Sequence, residues 1–508
     1  MGQLRFQIPS GLDEQSRQGL REGYIAALPD YMPWPTECRV EDSINYIVEK
    51  EPTESGSLYV PWSVQLPVEA GNWLAGKPFR LITGTATLGE RKEPYHLLTE
   101  LARGKVNQVR NQAADWQSLG LNLPEDLQQL LRKSSLAFAH TVCQPNSLED
   151  ADRLGTQALY TGIETGERLI DAYIEQVLAT RKGANGKLPF YLSCAIDSVP
   201  TGAAEEQFLA AFNAVRIPFN WRLIEPRESS YQWDLYDNLI SWAKLNKLQI
   251  EGGPLVDLTP MRLPHWLDNN KGDAQSLANL FLDYLEATLS RYRNEIAFWT
   301  ISANAHDNSQ LSLDDEDQIW LNAQMLAAAK QIHSEGRFCI SLSQPWAEHL
   351  ARGDRNYSAF VFSDALLRSR VELTALNLEC VVGWKERGSR LRDFLEISRM
   401  MDLYALFGIP LTLYASMPSA MECSDRPEGS YAILHDGNPW SRELQAQWAT
   451  RLLGLAACKP YTLSFSWSHL TDANDPIFPA GGLMDQEGKP KPILKAIQQF
   501  REAHIRTP

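Results

Sequence analysis

Three acidic residues stand in apolar runs where a strand gives way to a loop: Asp257 in GGPLVDL, Glu348 in QPWAEH and Glu379 in LNLECVVG. A pair of carboxyl groups, one protonated and one ionised, is the equipment for acid–base cleavage of a glycosidic bond. A carboxylate on an apolar strand is otherwise an ion-pair partner, because unpaired buried charge is costly. Asp257 also reads as a turn cap, and Glu348 as the first turn of a helix, where acids are favoured. Glu379 with Glu348 is the candidate catalytic pair, and Asp257 the alternative. Beside them stand groups suited to binding hydroxyls and stacking on sugar rings: Arg216, Asn220, Asn304, His306, Trp346 and Trp467. His306 next to Asp307 also reads as an ordinary loop histidine, and Trp346 as core.

These residues fall at the ends of eight short apolar segments: PFYLSCAID, FNAVRIPFNW, LQIEGGPLVDL, IAFWTISANA, FCISLSQPW, ALNLECVVG, PLTLYASM and YTLSFSWSHL. Amphipathic runs such as LYDNLISWAKLNK and RELQAQWATRLLGLAA separate them. Strand–helix alternation repeated eight times predicts a (β/α)8 TIM barrel over residues 187–508, with its site at the carboxyl ends of the strands. A doubly wound open sheet is the alternative, but no glycine-rich phosphate loop follows a strand. The mixture of carboxylates, amides and tryptophans suits a saccharide better than a phosphate or a nicotinamide.

Upstream the pattern changes. Residues 1–91 carry β-branched and alternating stretches between Pro- and Gly-containing turns, which predicts a β-sandwich-like domain. Residues 92–186 form a helical segment, in which Leu98, Leu101, Val109, Ala113 and Trp116 recur near helical spacing and Ser147 precedes Asp150 as in a capping box. Arg103, Asn107, Arg110 and Asn111 share one helix face, read either as a solvated face or, in preference, as a surface docked on the barrel.

The motifs in the barrel region resemble those of glycoside hydrolase family 10, the xylanase family. NWRLIEPRESSYQWDLYD follows its pattern of Trp, Glu-Pro, an aromatic and an Asp that opens a helix; LPHWL resembles its Thr-Pro-x-Trp segment; SFSWSHLTDANDPIFPAGGLMDQEGKPKPILKAI resembles its last strand and helix start. The resemblance spans about 190 to 505 and implies a barrel that acts on, or binds, a saccharide. It also implies that both family glutamates are replaced. The acid/base position falls on Asn304 and the nucleophile position on Ala415, and neither side chain can donate a proton to a leaving group or attack an anomeric carbon. A catalytically inactive carbohydrate-binding or scaffold protein is therefore the alternative to a hydrolase with a relocated site.

The bulk properties bound the partners. With 48 basic and 63 acidic residues the net charge is −15, which disfavours nucleic acid and anionic membranes. There is no signal-peptide-like leader and no apolar run of membrane-spanning length, so a cytoplasmic protein is expected. The seven cysteines are scattered without C-x-x-C spacing, which predicts reduced, buried thiols, no metal and no cofactor.

Overall fold

The structure, a computed structural model, describes residues 2–27, 30–143, 145, 147–182, 186–259, 261–306, 310–353, 357–384, 389–422, 429–472 and 477–506. The first eight strands are β1 (Gly2–Gln7), β2 (Tyr24–Ala26), β3 (Pro33–Trp34), β4 (Thr36–Val40), β5 (Asn45–Lys50), β6 (Ser57–Gln65), β7 (Pro78–Gly84) and β8 (Tyr95–His96). They make two four-stranded sheets, ordered β4-β5-β1-β8 and β3-β2-β6-β7, with helix α1 (Glu14–Arg21) against β4 and β6. Leu4, Phe6 and Val48 from one sheet share a hydrophobic cluster with Leu58, Val60 and Leu81 from the other.

Three helices follow: α2 (Leu97–Ser118), α3 (Glu125–Cys143) and α4 (Leu148–Lys182). Leu98, Leu101, Val109, Ala113 and Trp116 of α2 are all buried, as their spacing predicts. The Ser147 hydroxyl caps α4 by accepting from the Asp150 N–H at 3.1 Å. The face of α2 that docks on the barrel is a different one from that expected. Asn107, Arg110 and Asn111 are exposed, and Arg103 pairs within its own helix with Glu100 at 3.3 Å. Lys105 and Gln108 make the contact instead, the first to Asp393 at 2.6 Å and the second to Glu396 at 2.7 Å.

The remaining strands are β9 (Tyr191–Cys194), β10 (Ala214–Ile217), β11 (Gln249–Gly252), β12 (Val256–Asp257), β13 (Phe298–Ala303), β14 (Arg337–Leu342), β15 (Ala375–Val381), β16 (Leu411–Ser416) and β17 (Thr462–Trp467). Among the described residues they form one parallel sheet in the order β10-β11-β13-β14-β15-β16-β17-β9, with β12 alongside β13. Ala195 bridges Arg216, and the Ile196 N–H donates to the Arg216 carbonyl at 3.1 Å, so the two ends of that order meet and the sheet closes. This is a (β/α)8 barrel rather than an open sheet. Its helices are α5 (Ala203–Ala211), α6 (Trp221–Ile224), α7 (Asp234–Leu245), α8 (Ala274–Tyr292), α9 (Asp315–Ile332), α10 (Ala359–Arg368), α11 (Phe394–Ala405), α12 (Arg442–Cys458) and α13 (Pro492–His504). Most start where the sequence supplies a cap: Asp273, Asp314, Ser358, Asp393 and Ser441 each accept from an N–H in the first turn. Pro492 opens α13, where its missing N–H costs nothing.

The cysteines form no disulfide among the described residues; Cys194, Cys339, Cys380 and Cys458 are buried, whereas Cys143 is exposed, contrary to expectation, and Cys423 lies outside the described residues. Among the described residues no helix is long and apolar enough to cross a membrane, and no group of three or more His, Cys, Asp or Glu is placed to hold a metal ion.

Candidate functional site

Side chains alternate across a strand, and paired residues of parallel neighbours point to the same side. The hydrogen bonds then identify the inward set. Ser193 on β9 donates to Glu251 on β11 at 2.9 Å, and Thr412 on β16 donates to Asn377 on β15 at 2.9 Å. Asn377 donates to the Ser341 hydroxyl at 2.7 Å, and that hydroxyl donates to Glu379 at 2.8 Å. Barrels are commonly filled by branched apolar side chains. This one is filled by a hydrogen-bonded polar network. Burial pushes the Glu251 carboxyl up from its ordinary range, and the Arg216 guanidinium opposes that rise. Arg216 lies over the Tyr414 ring at 4.8 Å.

Above this network is a small cavity of about 50 Å³, lined by Arg216, Asp257, Arg262, Asn304, Glu379 and Tyr414, among others. Asn304 donates both to Asp257 at 3.0 Å and to Thr259 at 2.8 Å, while Asp257 also accepts from the Thr259 N–H and hydroxyl at 2.9 and 2.6 Å. The Asn304 backbone is left-handed, φ +59°, a conformation that asparagine tolerates better than most residues. Beyond this cavity, over the ends of β9, β10 and β17, opens a cleft of about 500 Å³. Ala195, Pro218, Arg262, Ser468 and Ile477 border both spaces. The cleft adds Asp197, Asn220, Tyr236 and His469, with Leu223, Leu235 and Met261 on its exposed rim. The Asn220 Oδ1 is buried there without a hydrogen-bond partner. A hydroxyl chain backs the cleft: Ser416 to Ser468 at 2.7 Å, then Ser468 to His469 Nδ1 at 2.8 Å.

The structure brings together Arg216, Asp257, Asn304 and Glu379 in the inner cavity and places Asn220 in the adjoining cleft. It does not bring Glu348 to Glu379. Glu348 is paired with Arg392, which also donates to the Tyr24 hydroxyl at 2.7 Å, so this carboxylate joins the barrel to the N-terminal sheets. Burial raises its pKa and Arg392 opposes that rise. Trp346 lies beside the same junction, its ring 4.6 Å from the Arg392 guanidinium. Trp467 is no open stacking platform: it is fully buried, and its indole N–H donates to the Gly481 carbonyl at 2.8 Å. His306 is also buried, packed near His349 and Phe362, and it lines neither space. Asp307 lies outside the described residues. On β16, Tyr414 lines the cavity, whereas Ala415 is wholly buried and absent from its wall.

Sequence reasoning missed Asp197, Arg262 and Glu251. Asp197 was available from the same strand-end rule, since it follows the first barrel strand in CAID. Arg262 sits in the irregular stretch after β12 and carries no periodic signal.

Comparison with known proteins gives the following. Solved structures with which the chain aligns include xylanase 10B from Thermotoga maritima (13% identity, 65% of this chain and 97% of that one, TM-score 0.47). Others are an endo-1,4-beta-xylanase from Caldicellulosiruptor owensensis (18%, 64% and 99%, TM-score 0.47) and a GH10 protein from Paenibacillus barcinonensis (16%, 65% and 98%, TM-score 0.48). Glycosyl hydrolase family 10 matches residues 187–323, the stretch that runs from β9 into α9 and carries Arg216, Asn220, Asp257 and Asn304.

Proposed function

We propose that this barrel binds a saccharide in the cleft over β9, β10 and β17 and does not cleave it by the paired-glutamate mechanism. The observation that carries this reading is a mismatch of size. The cavity that holds Asp257 and Glu379 is about 50 Å³, too small for a sugar ring, whereas the adjoining cleft of about 500 Å³ lies within the range of small-ligand sites. The groups on the cleft wall suit hydroxyls: Asp197 accepts, Arg262 donates, and the unpartnered Asn220 Oδ1 has an acceptor position to fill. Glu379 and Asp257 then serve the polar interior that shapes the floor. Asn304, in the place of the family acid/base, has its amide hydrogens committed to Asp257 and Thr259. The family match over 187–323 supports a saccharide as the ligand class.

Calorimetry of the full chain against xylotriose, cellotriose and mannotriose tests the reading. At least one trisaccharide is expected to bind, and Arg262→Ala is expected to weaken that binding. No heat with any neutral oligosaccharide, or unchanged affinity in the variant, overturns it.

A further inference from the structure

A second cleft lies where the N-terminal sheets meet the loops after β14 and β15. It measures about 490 Å³ and is walled by Arg21 and Glu22 from one side and by Glu348, Arg352, Trp384 and Arg390 from the other. Its acids are already neutralised. Glu22 pairs with Arg390, which also reaches Asp436 at 3.3 Å, and Glu348 pairs with Arg392. Arg352 is exposed and has no acidic partner among the described residues. An excess guanidinium is thus left at the wall. The second observation is independent. Trp384 is 0% exposed, yet its indole N–H has no hydrogen-bond acceptor. A buried donor left without an acceptor is costly, so a site at this wall gains by bringing one.

We propose that this junction is a second ligand site, which takes a small oxyanion-bearing molecule of about monosaccharide size, its carboxylate or phosphate oxygens accepting from Arg352 and from the Trp384 N–H. The volume fits such a molecule. Guanidinium groups suit planar carboxylates and phosphates alike, so both sources share the chemistry. The ligand would touch both the N-terminal sheets and the barrel, unlike one in the cleft over β9, β10 and β17, and the inference does not depend on the reading of that cleft.

Titration calorimetry of the full chain with glucuronate, glucose 6-phosphate and glucose tests this. One or both anions are expected to bind and neutral glucose is not; binding of only one identifies the source of the oxyanion. Arg352→Gln, a change at an exposed side chain, is expected to weaken the anion by roughly tenfold or more, the scale of a lost charge-assisted hydrogen bond. Trp384→Phe, checked for a native circular dichroism spectrum, is expected to weaken it as well, and Arg262→Ala in the other cleft to leave it unchanged. The proposal fails if neither anion binds at millimolar concentration, if Arg352→Gln binds like the parent, or if Arg262→Ala removes the binding.

Discussion

Asn304 stands on the wall of the inner cavity, just after β13. Its left-handed backbone and its side-chain hydrogen bonds to Asp257 and Thr259 fix the turn after β13 and orient Asp257. Asn304→Ala removes both bonds and puts a less tolerant residue at φ +59°, so a loss of roughly 1–3 kcal/mol is expected. Urea unfolding of the variant checks this, and a parent-like midpoint would mean that the bonds contribute nothing. Other residues show what a linear reading misses. Motif resemblance puts Trp467 and Ala415 at the mouth, but strand parity decides which side chains face inward. The serines in SFSWS alternate with Phe465 and Trp467, and Ser466 stands beside Tyr414 in register. That alternation was visible in the sequence. The role of Glu348 was not, because its partners Arg392 and Tyr24 are remote in the chain and belong to different sheets or loops.

At the scale of elements, the barrel was legible because each strand is a short apolar run followed by an amphipathic helix with a recognisable cap. The docking face of α2 was not legible. The spacing of Arg103, Asn107, Arg110 and Asn111 marks one face of a helix, but polar residues mark the docked face only if their partners are known. Lys105 is 3% exposed at its side chain and pairs with Asp393, which is 5% exposed and caps α11. Breaking a buried pair leaves one charge uncompensated, at a cost of about 3–5 kcal/mol. Lys105→Ala is therefore expected to destabilise by that amount, whereas Asn107→Ala on the exposed face is expected to stay within about 0.5 kcal/mol of the parent. Equal effects of the two substitutions in thermal or urea melts would contradict this assignment of faces.

At the scale of the whole molecule, the sheets, the three helices and the barrel share one hydrophobic cluster that runs from Leu4 to Ile505. Polar contacts cross the same boundary. The Trp73 indole donates to Glu167 at 2.7 Å, Arg451 holds Glu167 and Asp171, and Ile82 donates through its backbone to Leu391 at 2.9 Å. The chain is therefore expected to melt in a single transition, with near-ultraviolet and far-ultraviolet circular dichroism coincident; two separated transitions would show that the N-terminal part and the barrel are independent. Of the two clefts at the barrel's loop end, one is formed by the barrel alone and the other is completed by the N-terminal sheets. On the proposed reading, the first of these holds a saccharide without cutting it. The most direct measurement of this is reducing-end release by the purified chain from whichever oligosaccharide it binds, run beside Glu379→Gln. No release above the buffer rate by either protein is the predicted result, and turnover by the parent that Glu379→Gln abolishes would contradict it.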